Sequence, residues 1–268
     1  MADIRTRTLA IANQKGGVGK TTTAINLGTA LAAIGERVLI FDIDPQGNAS
    51  TGLGIDRTQR RATTYDILVG NAQISHGIIP AEVPGLFVLP GDVNLSGLEL
   101  ELAQAPRRSF RLRDAIDRYH ADPANPRFHH ILIDCPPSLN LLTVNSMTAA
   151  DAVLVPLQCE FFALEGLTQL LHTIDLVRGS LNPKLEIQGL VLTMYDRRNN
   201  LSGQVAEDVR RHFGDKVYET IIPRNVRVSE APSYGKPALI YDLEAPGSQA
   251  YLRLASEMIQ RERAATAA

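Results

Sequence analysis

The chain has 268 residues, of which 44% are hydrophobic and 21% charged, with 27 Lys and Arg against 29 Asp and Glu, two Cys and no Trp. These proportions lie near those of average globular proteins and exclude disordered, collagen-like and disulfide-stapled chains. A formal net charge of −2 excludes a uniformly basic, phosphate-coating surface, while leaving room for a local basic patch.

In chain order, short apolar runs alternate with longer segments of helical period, the pattern of parallel βαβ units. Strands are predicted over 8–12, 37–43, 85–89, 130–134, 152–156, 187–193 and 216–222, and helices over 20–34, 109–119, 139–149, 164–178, 202–213 and 248–261. Gly35 reads as a C-cap signal and Ser248 as an N-cap. Residues 51–84 are weaker in pattern and read as short helices and loops over one sheet edge. Most of the strands are apolar throughout, as expected where both faces are covered. With no repeat and no dividing linker, residues 1–268 are expected to form one α/β domain, a doubly wound, mostly parallel sheet flanked by helices.

After the first strand comes Asn13-Gln14-Lys15-Gly16-Gly17-Val18-Gly19-Lys20-Thr21-Thr22-Thr23, which opens directly into a helix. Glycines let the backbone turn its N–H groups inward, the helix N-terminus adds positive potential, and Lys20 is placed to reach β- and γ-phosphates. Thr21 supplies a hydroxyl suited to Mg²⁺. Gln14 stands where the ordinary phosphate loop has glycine, and a second lysine, Lys15, precedes the glycines; this is the deviant form K-G-G-x-G-K-[ST]. Lys20 already covers the approach to the chain's own γ-phosphate, so Lys15 is expected to act on the nucleotide of another copy, as arginine fingers do.

The strand at 37–43 runs into Asp42-Ile43-Asp44-Pro45, and the strand at 130–134 ends in Asp134-Cys135-Pro136-Pro137-Ser138. Ligands of open parallel sheets bind beyond the carboxyl ends of strands. Asp44, where the chain leaves the sheet, is the candidate for orienting an attacking water or supporting Mg²⁺; Asp42 reads as capping its own turn. Asp134 is expected to hold Mg²⁺, commonly through water. None of the five lysines, Lys15, Lys20, Lys184, Lys216 and Lys236, sits in the [NT]-K-x-D context of guanine readers, so ATP is favoured over GTP.

These motifs, with Cys159-Glu160-Phe161-Phe162-Ala163-Leu164-Glu165-Gly166 and the segment Ile222 to Pro237, resemble the deviant-Walker ATPases and specifically the ParA/Soj chromosome-partitioning branch, over nearly the whole chain. The resemblance implies a Mg²⁺-dependent ATPase that sandwiches ATP in a homodimer, binds double-stranded DNA non-specifically when ATP-bound, and is released when a ParB-like partner stimulates hydrolysis. It implies that Gly16, Gly17, Val18, Gly19, Lys20, Thr21 and Thr22 cradle the phosphates, that Lys15, Lys20 and Asp44 are catalytic, that Thr21, Asp44 and Asp134 hold the metal, and that Met194, Pro223 and Asn225 line the adenine. Only about seven residues precede the first strand, so the winged-helix segment of longer plasmid relatives is not expected.

From Arg197 to Arg227, seven basic residues face four acidic ones. Such a cluster neutralises phosphates and gives salt-sensitive, sequence-independent binding; Arg198, Arg224, Arg227 and Lys236 are the preferred contacts. A second basic run, Arg107 to Arg113, is expected to start a helix. The alternative reading is a membrane-cycling, MinD-like division-site ATPase, which would end in a basic amphipathic helix. The final helix here carries Leu252, Ala255, Met258 and Ile259 on one face, a stripe read as packing on the core. No apolar run approaches the roughly 18 residues of a membrane span. No signal-peptide core is present, and Cys135 and Cys159 form no C-x-x-C pair, so a cytoplasmic location without membrane is expected; the resemblance implies that the chain is nucleoid-associated.

Overall fold

The computed structural model describes residues 6–160 and 163–267. Seven strands form one sheet: β1 (Arg7–Ile11), β2 (Val38–Asp42), β3 (Ile79–Pro80), β4 (Leu86–Leu89), β5 (His130–Asp134), β6 (Ala152–Gln158) and β7 (Glu186–Thr193), in the order β3-β4-β2-β5-β1-β6-β7. All neighbours are parallel except the β3–β4 edge pair. Side chains alternate across the sheet and supply two cores. Leu9, Ile11, Val38 and Ile40 join one, with the helices Lys20–Ala33 and Pro246–Ala267 packed on it. Ala10, Leu39, Phe41 and Ile133 join the other, beneath the helices Arg111–Ala121, Leu141–Ala149, Ala163–Ser180 and Asn200–Phe213. Burial on both faces is why β1, β2 and β5 read as apolar runs rather than as alternating ones.

Six of the seven expected strands are present, with ends moved by at most two residues. The seventh, over 216–222, is not a strand. The segment begins with a 3₁₀ turn at Gly214–Lys216 and touches the main sheet through isolated bridges, Leu190 to Val217 and Tyr195 to Pro223. The Tyr218 and Ile222 N–H groups donate to the Leu190 and Leu192 carbonyls of β7, but side chains claim other backbone groups of the segment. Arg210 donates to the carbonyls of Tyr218 and Glu219, Arg261 donates to those of Asp215 and Val217, and Glu257 accepts the N–H groups of Glu219 and Thr220. A continuous ladder needs those same groups, so side-chain capture interrupts strand pairing here.

Residues 51–84 hold short helices, as expected, and also the two-residue strand β3, which pairs antiparallel on the edge. Gly35, at φ 94°, ends the first helix with its N–H on the Ala32 carbonyl. Ser248 is not an N-cap: the last helix starts earlier, at Pro246, and the Ser248 hydroxyl donates to the Asp242 carbonyl from inside it. Ala255 and Met258 of that helix are fully buried, so the stripe read from the sequence does face the core.

Candidate functional site

The parallel sheet sends the carboxyl ends of β1, β2 and β5 to one edge. In the ladder Asp134 lies beside Ile11 on one side and beside Asp42 on the other, so the chain leaves β1 for the glycine loop right next to Asp134. Gly17 and Gly19 take φ 74° and 92°, a left-handed backbone that a side chain would strain. Gly19 begins the first helix without a side-chain cap, leaving its first N–H groups without a side-chain partner at the mouth of the loop. The loop is anchored from below: the Asn13 amide donates to the Pro156 carbonyl at 2.8 Å while its oxygen accepts the Lys15 N–H at 3.0 Å, and the Thr193 hydroxyl donates to the Val18 carbonyl at 2.8 Å. Asn13 and Thr193 were not singled out in the sequence; a buried amide at the start of a glycine loop was the available signal for the first.

The two lysines diverge. Lys20 is buried and its ammonium donates to the Lys15 carbonyl at 3.0 Å. Burial pulls its pKa below the usual lysine value, opposed mainly by Asp134. Lys15 is half-buried and directs its ammonium to Glu160 Oε2 at 2.6 Å. Glu160 belongs to the Cys159–Gly166 segment quoted above; Phe161 and Phe162 of that segment lie outside the described residues.

Asp44, 8% exposed, accepts the Gln46 N–H at 2.9 Å. Asp42 is fully buried and accepts both the N–H and the hydroxyl of Ser50, at 2.8 and 2.6 Å; burial still pushes its carboxyl up to about 6. It therefore has the local partners expected of a residue that caps the turn after β2. Asp134 is fully buried, and neither oxygen has a hydrogen-bond partner. Burial holds it well above the usual carboxylate range, reinforced by Asp42; the Thr21 hydroxyl, near but outside hydrogen-bond geometry, and Lys20 oppose the shift. A buried carboxylate with no donor fits a cation or a cation-bound water.

Met194 stands over the far end of the loop, its methyl 3.9 Å from where a Cβ on Gly19 would lie, and it adopts φ 51°, rare for a residue with a side chain. Next to it, Tyr195 bridges to Pro223 and accepts the Arg224 N–H at 3.0 Å, which brings Met194, Pro223 and Asn225 into one neighbourhood. The Asn225 oxygen is engaged, accepting the Val228 N–H at 3.2 Å as the cap of the helix Val226–Glu230. The four expected DNA contacts are all exposed but differ in charge balance. Arg198 is held by Asp196, and Arg227 by Glu230 and Asp242, whereas Arg224 and Lys236 make no ion pair among the described residues.

A doubly wound sheet with this loop at the end of β1 defines a P-loop NTPase of the MinD/ParA type. Residues 6–187 match a family model described as an AAA domain. Over 257 residues the chain is 72% identical to the chromosome partitioning protein ParA of Caulobacter vibrioides, covering 96% of this chain and 95% of that protein. It is 52% identical over 250 residues to the sporulation initiation inhibitor protein Soj of Bacillus subtilis, with 93% and 97% covered. A structure of cobyrinic acid a,c-diamide synthase from Mycobacterium smegmatis, with bound ATP analogue and magnesium, superposes with a TM-score of 0.83 at 36% identity, over 97% of this chain and 96% of that one. The chain belongs to the ParA/Soj chromosome-partitioning family.

Proposed function

We propose that this chain is a partitioning ATPase that dimerises around ATP, holds duplex DNA without sequence preference while ATP is bound, and lets go when a ParB-like partner stimulates hydrolysis. The observation that carries this reading is the divergence of the two lysines. Lys20 points into its own loop, while Lys15 points away to a half-exposed carboxylate. Only Lys15 is free to swing to a neighbouring copy without giving up the chain's own phosphate site.

In this reading the glycine loop from Gly16 to Thr22 and the N-terminus of the first helix bind the phosphates, and Met194, Pro223 and Asn225 border the base. Thr21, Asp44 and Asp134 hold Mg²⁺, which supplies neutralisation of charge on the transferring phosphoryl group. Asp44 orients the attacking water, and the partner's lysine adds positive charge from across the dimer. The buried inner face of the last helix favours this reading over a membrane-cycling one, and no helix among the described residues is long and apolar enough to cross a membrane. The chain acts as one ATPase domain, located on the nucleoid.

A gel shift on duplex DNA with ATP, ADP or no nucleotide, at low and raised salt, tests it. Retardation with ATP only, weakened by salt, is expected. Equal retardation in all three states would remove the nucleotide gate, and none in any state would remove the DNA partner.

A further inference from the structure

Behind Asp44 the structure holds a charged side chain to which no motif points. Arg60 follows the 3₁₀ turn Arg57–Gln59. Its Nη1 donates to the Gly91 carbonyl at 2.8 Å, and its Nη2 donates to the Thr51 hydroxyl at 2.9 Å and to the Ile55 carbonyl at 3.0 Å. The Thr51 hydroxyl in turn donates to the Gly47 carbonyl at 3.0 Å. The guanidinium also packs directly on Gly47, where a Cβ would stand 2.5 Å from Nη1.

Gly47 closes the turn that presents Asp44: its N–H donates to the Asp44 carbonyl at 2.9 Å, beside the Gln46 N–H that holds Asp44 Oδ1. Gly91 supports the same turn from the β4 side. A Cβ on Gly91 would lie 2.7 Å from the Asp42 carbonyl oxygen and 3.0 Å from that of Asp44, and its N–H donates to Ser50 Oγ at 3.2 Å. One guanidinium therefore ties the loop after β2 to the loop after β4, with Asp44 between them. A planar fork holds several acceptors in fixed directions at once, which a lysine ammonium does not reproduce.

We infer that Arg60 is a positioning residue for Asp44, setting the direction in which its carboxylate meets the attacking water through Gly47, Thr51 and Gly91. The inference rests on the reading of Asp44 as the water-orienting group in ATP hydrolysis. Arg60 touches neither the phosphate loop nor Lys20 through any of these bonds, so its loss acts on turnover and not on nucleotide capture. Misplacing a reacting group by about 1 Å costs on the order of a hundredfold in rate, so a slackened turn is expected to cost about tenfold or more.

The test is steady-state ATP turnover and fluorescent-ATP affinity for wild type, Arg60→Lys, Arg60→Gln, Thr51→Val and Asp44→Ala. Both Arg60 variants are expected to lose about tenfold or more in kcat with ATP affinity within about twofold of wild type, and Thr51→Val to lose about threefold in kcat at unchanged affinity. Wild-type kcat in the Arg60 variants, or a parallel loss of ATP affinity, overturns the inference. If the Arg60 variants do not fold, Thr51→Val decides it, wild-type turnover there being the overturning result. A slow Asp44→Ala beside normal Arg60 variants sinks only the positioning role. A wild type without ATP turnover, or a fully active Asp44→Ala, removes the proposed reaction and this inference with it.

Discussion

Five positions apart in the loop, Lys15 and Lys20 differ in burial and in the direction of the ammonium. Lys20→Ala deletes the inward cation and is expected to abolish ATP binding. Lys15→Ala should leave fluorescent-ATP affinity within about twofold while abolishing the ATP-dependent dimer in light scattering; a normal dimer in that variant would refute the role in trans. The aspartates Asp42, Asp44 and Asp134 are all buried and differ in their hydrogen-bond partners. Burial raises the Asp42 carboxyl from 3.8 to about 6, so the folded chain binds a proton more tightly than the unfolded one between those values. Its contribution to stability is then lost as pH rises through that window. Asn at 42 keeps an oxygen for Ser50 and has nothing to ionise. In chelator-containing buffer the melting temperature of Asp42→Asn relative to wild type should rise from pH 4 to about 7 and stay level above it; a pH-independent difference would contradict the assignment.

Among the elements, the last helix decides between two readings of one apolar stripe. Met258 is fully buried against the first-helix side of the sheet, while Leu252 is only partly covered. Met258→Ala is expected to cost about 2–5 kcal/mol in urea unfolding, as core truncations do, and Leu252→Ala clearly less. Equal small losses would mean that the stripe is not core. The 216–222 segment shows where element prediction fails. Its apolar, β-branched residues read as a strand, but Arg210 from the helix just before it and Glu257 and Arg261 from the last helix, about forty residues on, take its backbone groups. Nothing local in the segment encodes the two partners from the last helix. The phosphate loop, by contrast, was legible because strand, glycines, lysine and helix are contiguous.

For the whole molecule, a net charge of −2 conceals surfaces of unequal balance. The basic segment from Arg197 to Arg227 is in part neutralised internally, through the ion pairs of Arg198, Arg210, Arg211 and Arg227. Arg224 and Lys236 keep uncompensated charge, so they should dominate the salt dependence of DNA binding. If each meets one phosphate in each copy of a dimer, Arg224→Ala or Lys236→Ala lowers the slope of log K against log salt by about 1.8, whereas Arg198→Ala lowers it less. A larger change from Arg198→Ala would mean that its pairing with Asp196 opens on DNA.

By itself the sequence determined the sheet class, the phosphate loop and the acidic strand ends, because each depends on contiguous residues and on the rule that parallel strands present their carboxyl ends to one edge. Tertiary structure alone decided that Lys15 faces Glu160 while Lys20 faces inward, that both oxygens of Asp134 are left without a donor, and that Arg60 braces the turn carrying Asp44. Those outcomes depend on distances between segments far apart in the chain, which no local pattern records.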